Sequence, residues 1–263
     1  MSNSKSVVFD QSLTPFERLI ALMAVLRSPE GCAWDRKQTH QSLLPYLIEE
    51  AYEVMEAVEN GDHEALKEEL GDLICQAVFH GQLASEAGTF TINDAINLII
   101  DKLVRRHPHV FSEQKELTPK QVRDQWEKIK VNSGEKPSVL GGIPNTMPAL
   151  TMAFRIGEKA GGVGFDWKEP AEVIDKLREE VDEITAAIPL GDSDRLADEI
   201  GDLLFATASL ARKLDIDPEQ ALRRALRKFR ERFDRLEQQV NESGKRFEDF
   251  TLEQLEEIWK RVK

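Results

Sequence analysis

The chain has 263 residues, enough for one or two domains with buried cores, and its 48 acidic against 35 basic side chains leave a net charge of −13. That balance argues against broad binding to nucleic acid or to an anionic membrane, but not against an anionic substrate that reaches its site through a metal ion. With 32% charged and 7% aromatic residues, the composition is that of a helix-rich soluble protein.

The charge is also evenly divided, −7 over residues 1–133 and −6 over residues 134–263, which suits a duplicated unit better than a neutral domain with a charged tail. Cys32 and Cys75 lack metal-type spacing and fit a reducing compartment. No signal-type opening and no apolar run of membrane length is present, so the expected location is cytoplasmic.

Residues 1–12 are polar. Thr14 and Pro15 open the first helix as N-cap and first-turn proline, with Phe16, Leu19, Ile20, Met23 and Leu26 as its apolar stripe, and Ser28-Pro29-Glu30-Gly31 ends it. After a loop at Cys32-Ala33-Trp34-Asp35, Pro45 is read as the start of a second helix carrying Leu47, Ile48, Ala51, Val54, Met55 and Val58. Asn60-Gly61-Asp62 is a turn with a fresh N-cap, and the helix after it runs to about Ala84. Another begins near Ile92 and stops or bends before Pro108; one more begins at Thr118-Pro119 and holds Trp126 and Ile129. Residues 132–148, rich in glycine and proline, form the linker, so the expected organisation is 1–131, linker 132–148, and 149–263.

The second part repeats the plan. A helix over 147–160 leads into a glycine-rich loop at 161–167; Glu169-Pro170 opens an acidic helix, Pro189-Leu190-Gly191-Asp192 turns the chain, and a second acidic helix reaches about Leu214. Asp217-Pro218 caps a long basic helix, and Thr251 begins a last one bearing Trp259. No stretch reads as a strand, so the fold class is all-α, with two tandem helical-bundle repeats.

The repeat is sharpest in its carboxylates. Glu180 and Glu183 stand three apart, as do Glu199 and Asp202, and Glu50, Glu53, Glu69 and Asp72 reproduce the set at a constant offset of 130 residues. Positions three apart share a helix face, so ExxE on one helix and ExxD on the next can aim four carboxylates into one space. Held bare, these would repel and protonate; a divalent cation resolves the conflict. All donors are hard oxygens without His or Cys, which favours Mg²⁺ or Mn²⁺ over zinc or iron. One ExxE alone is common on solvated helix faces; its coincidence twice at one offset is not. Gly71 and Gly201, each inside an acidic helix, suggest close helix approach, because glycine there costs about 1 kcal/mol relative to alanine.

Lys228 and Arg232 share a face of the basic helix, and Lys102 and Arg106 repeat that spacing earlier; either pair could grip phosphate oxygens or simply be solvated. His107-Pro108-His109 reads as a helix-ending turn rather than a ligand pair, and Gly161-Gly162-Val163-Gly164 is neither a Walker loop nor a dinucleotide fingerprint.

The segments EEAYE (49–53) with EELGD (68–72), and EEVDE (179–183) with DEIGD (198–202), resemble the EExxE…ExxD signature of the MazG nucleoside triphosphate pyrophosphohydrolases, of the all-α phosphohydrolase superfamily. GCAWD (31–35), RRHPHVF (105–111), QWEKIK (125–130) and VGFDW (163–167) extend the likeness. The resemblance implies Mg²⁺-dependent hydrolysis of nucleoside triphosphates to monophosphate and pyrophosphate with loose base selectivity, a homodimer, and a role in clearing aberrant nucleotides or tuning stress nucleotides. By position Glu180, Glu183, Glu199 and Asp202 would bind metal, Arg195, Lys228 and Arg232 would hold phosphates, and Trp259 would lie against the nucleotide. Family members often have Lys where Arg195 stands. Glu183 is the candidate general base. The second site is the expected working one, because Ala65 stands where Arg195 would repeat and Pro108 interrupts the helix beyond Arg106. A metal-cemented, non-catalytic helical interaction protein and a dUTP- or dCTP-specific relative are the competing readings.

Overall fold

In a computed structural model of the chain, residues 6–112, 116–118, 121–122, 125–126, 129 and 138–262 are described. The helix expected from Thr118-Pro119 and the first part of the 132–148 linker lie largely outside them. Among the described residues the regular structure is entirely helical, and none of these helices is long and apolar enough to cross a membrane. Two compact units form, Met1–Glu116 and Leu117–Lys263.

In the first unit, α1 (Pro15–Arg27) starts on Thr14 as N-cap, as the sequence suggested, and Glu17 closes a capping box with it. α2 spans His40–Asn60 and therefore begins ahead of Pro45. A reciprocal Thr39–Ser42 cap supplies the start that the proline was expected to mark, and Pro45 is accommodated within the helix. α3 (His63–Glu86) returns antiparallel to α2, and α4 (Ile92–Arg106) follows from a Thr91–Asp94 capping box. His107 caps α4 and Pro108 opens a single turn, α5 (Pro108–Phe111). Met23, Leu43, Val78 and Phe79 form the core, with Cys75 packed against it. Burial pushes the Cys75 thiol up, and the charges of Asp72, Asp35 and Glu50 push it further.

In the second unit, α6 (Ala149–Gly162) packs on α8 (Ser193–Lys213), which pairs with α7 (Pro170–Ala187) as an antiparallel hairpin. The long α9 (Pro218–Glu242) touches α6 and α8, and α10 (Leu252–Arg261) folds back on it. Leu236, Val240, Ile258 and Val262 form the core where α9 and α10 meet.

The hairpin turns repeat in geometry as well as in letters. Gly61 and Gly191 both adopt φ 67°, the left-handed conformation that suits glycine. Asp62 and Asp192 then cap α3 and α8 alike, each side chain accepting from the second and third backbone N–H after it. This shared turn sets the register of both acidic hairpins. The close approach expected at Gly71 and Gly201 is absent among the described residues: a Cβ at either would meet none of their atoms within 4 Å.

Candidate active site

Each hairpin brings three carboxylates together. Glu50 on α2 joins Glu69 and Asp72 on α3, and Glu180 on α7 joins Glu199 and Asp202 on α8; in each triad one oxygen per residue lies within 4.8 Å of the others. Glu53 and Glu183 stand outside these triads but couple to them. The Glu50 carboxyl is pushed up by burial and by the nearby Asp72 charge, and that of Glu69 by burial and by Glu53. Glu183 is likewise raised by burial, then by Glu199 and Glu180. Crowded, partly desolvated carboxylates of this kind could hold a cation.

The two sets differ in detail. Glu180 is buried, only 2% exposed. One of its oxygens, Oε1, is 2.7 Å from Lys176 Nζ; the other, Oε2, is buried with no hydrogen-bond partner. An orphaned carboxylate oxygen on a residue grouped with two further acidic side chains fits a divalent ion. Lys176 also reaches Glu179, and these two contacts hold its amine above the usual lysine range. The corresponding position in the first hairpin is Tyr46, so its triad lacks this lysine. Glu50 is held instead by a long contact from Gln76, at 3.5 Å. Lys176 was missed in the sequence, though its spacing of three and four from Glu179 and Glu180 carried the signal.

Among the cationic candidates, Arg195 lies one turn before Glu199, with Nε 3.5 Å from its carboxylate. Arg232 and Trp259 meet where α9 and α10 pack. The guanidinium stands 4.1 Å over the indole, and its Nε donates to the Trp259 carbonyl at 3.0 Å. Phe229 flanks the same ring system at 5.1 Å. Lys228 is exposed one turn earlier on α9.

Two helical units, each centred on a hairpin of converging carboxylates, define a tandem acid-centred all-α protein. The MazG nucleotide pyrophosphohydrolase domain matches twice, over residues 38–111 and 168–236, each match enclosing one acidic hairpin. The chain belongs to the MazG family. It is 49% identical over 250 residues to the nucleoside triphosphate pyrophosphohydrolase/pyrophosphatase MazG of Thermotoga maritima, covering 94% of this chain and 95% of that one. It is 42% identical over 257 residues to the nucleoside triphosphate pyrophosphohydrolase of Escherichia coli, covering 95% and 98% respectively.

Proposed function

We infer that this protein adds water to nucleoside triphosphates, giving the nucleoside monophosphate and pyrophosphate. The observation that carries the reading is the pair of carboxylate triads, placed alike by two hairpins within two matches to a pyrophosphohydrolase domain. Glu180, Glu199 and Asp202, with Glu183 beside them, would hold Mg²⁺ or Mn²⁺; Glu50, Glu53, Glu69 and Asp72 are the equivalent set. When bound, such an ion neutralises phosphate charge and acidifies water. Glu183, its carboxyl raised by burial and neighbouring charge, takes the proton from the attacking water at a carboxylate oxygen. Arg195, Lys228 and Arg232 hold phosphate oxygens, and Trp259, stacked with Arg232, lies against the nucleotide on that side.

The second set is the working one, on the strength of Lys176 and Arg195, which the first replaces with Tyr46 and Ala65. The repeats occupy 1–131 and 149–263, joined by 132–148. The protein acts in the cytoplasm in nucleotide-pool housecleaning or stress-nucleotide control and does not bind nucleic acid. It works as a homodimer: Leu222, Leu226, Phe229 and Phe233 line one stripe of α9, 39–59% exposed, as a second copy would require. A panel of canonical and modified triphosphates with product analysis tests the activity. Monophosphate and pyrophosphate across several bases are expected. Stepwise release of single phosphates, or no turnover with Mg²⁺, would end this reading, and turnover of one base alone would favour a dUTP- or dCTP-specific enzyme.

A further inference from the structure

His40 and His80 meet in the first unit, at a distance from its acidic set. His40 is the first residue of α2, and His80 lies on α3, about 12 Å along the axis beyond Asp72. Their Nδ1 atoms are 2.8 Å apart. The ring planes are 11° from parallel and the centroids 5.1 Å apart. Nitrogens this close rule out a face-on stack, in which unbonded ring atoms stand roughly 3.5 Å apart or more. The imidazoles meet edge to edge, as an N–H···N hydrogen bond requires.

Such a bond needs one donor and one acceptor, and the surroundings decide which is which. His80 Nε2 is buried without a hydrogen-bond partner among the described residues. An N–H there would be orphaned, so the proton sits on Nδ1 and His80 donates to His40 Nδ1. His40, the acceptor, carries its own proton on Nε2, and the residue is exposed.

Neither ring takes a second proton without loss. On His40 it would set two N–H groups against each other, at the positive end of the α2 dipole. On His80 it would leave a buried N–H with no acceptor. The charged groups of the packed elements do not relieve this. On α1 stand Arg18 and Arg27, the latter held by Glu86. Glu50 on α2 and Asp72 on α3 are two or more turns away, and Asp94 on α4 closes the Thr91 cap. Burial pushes the His80 imidazole down, and the charge of His40 pushes it further.

We propose that His40 and His80 form an acid-sensitive clasp between the start of α2 and α3, closed while the pair shares one proton between its Nδ1 atoms and opened by a second. A histidine depressed on folding contributes stability that is complete above its unfolded pKa and is lost as pH falls through the folded one. α2 and α3 are the helices that bring Glu50 to Glu69 and Asp72, so the clasp secures the first hairpin near neutrality and loosens it in acid.

Nitrogen NMR of the full-length protein with isotope-labelled histidine reads the proton positions directly. A coupling between two imidazole nitrogens across the hydrogen bond is expected at roughly pH 7.5, and its loss at roughly pH 5 and in His40→Gln. No coupling near neutrality, or one that persists in acid, overturns the proposal. Between the same two pH values the wild type should lose about 2–4 °C more in Tm than His40→Gln, whose substitution falls at an exposed position. Equal losses overturn it as well.

Discussion

Lys176 and Glu180 face each other one helical turn apart on α7, Nζ 2.7 Å from Oε1, with the glutamate buried and the lysine about one-third exposed. The ammonium is a built-in counter-charge for a carboxylate that could not otherwise be tolerated there. Lys176→Met should therefore destabilise the metal-free protein. The loss is about 1 kcal/mol, or roughly 2–4 °C in Tm, after discounting for the solvent that reaches the amine. Mg²⁺ should restore more stability to the variant than to the wild type, because the ion replaces the missing charge. Thermal melts in chelator and in Mg²⁺ measure both; equal Mg²⁺ increments would show that Lys176 does not balance Glu180.

The two triads are alike in donor set and unlike in surroundings, so their separate removal discriminates between them. Glu180→Gln with Asp202→Asn should lower pyrophosphate release by more than about 100-fold. Glu50→Gln with Asp72→Asn should leave most of it. Circular dichroism would establish that both variants fold. Equal losses would make the first hairpin a working site as well, in spite of Tyr46 and Ala65.

Asp166 fastens the loop before α7 to the end of α8 through Arg212 at 2.6 Å and Lys213 at 2.7 Å. Burial raises its carboxyl, but the hydrogen bonds and charges of Arg212 and Lys213 together outweigh that, and the group ends below its ordinary 3.8. A carboxyl depressed on folding contributes stability that is complete above its unfolded pKa and is lost as pH falls through the folded one. Asp166→Asn should thus cost about 2 kcal/mol near neutrality, with the deficit shrinking below roughly pH 4. Urea melts across the acid range test this; a deficit independent of pH would mean that the charge of Asp166 is not what secures the loop.

Much of this was legible in the residues. The offset of 130 between Glu50 and Glu180 was enough to find both hairpins and to pair their carboxylates, because helical spacing converts directly into shared faces. The start of α2 was misplaced because proline is a common first-turn residue, whereas the Thr39–Ser42 cap that sets the boundary uses an unusual Ser at the third position. The meeting of Arg232 with Trp259 was hidden for a different reason. It joins residues on two helices through a backbone carbonyl, and neither periodicity nor side-chain type announces such a contact.

Gly201 was expected to admit a neighbouring helix, yet among the described residues a Cβ there meets nothing within 4 Å. Its neighbours Ile200 and Leu204 are apolar and 48% and 53% exposed, and Leu70 and Ile74 flank Gly71 in the same way at 43% and 47%. A glycine bordered by uncovered apolar side chains on a helix is costly in water, since alanine would gain about 1 kcal/mol of helix stability. The cost would be recovered if a second copy packed its backbone closely against this face, as the proposed homodimer allows. Gly201→Ala should then weaken self-association by about tenfold or more, read by analytical ultracentrifugation over a dilution series. If association were unchanged and the protein simply melted higher, the proposed homodimer would rest on the α9 stripe and not on this face.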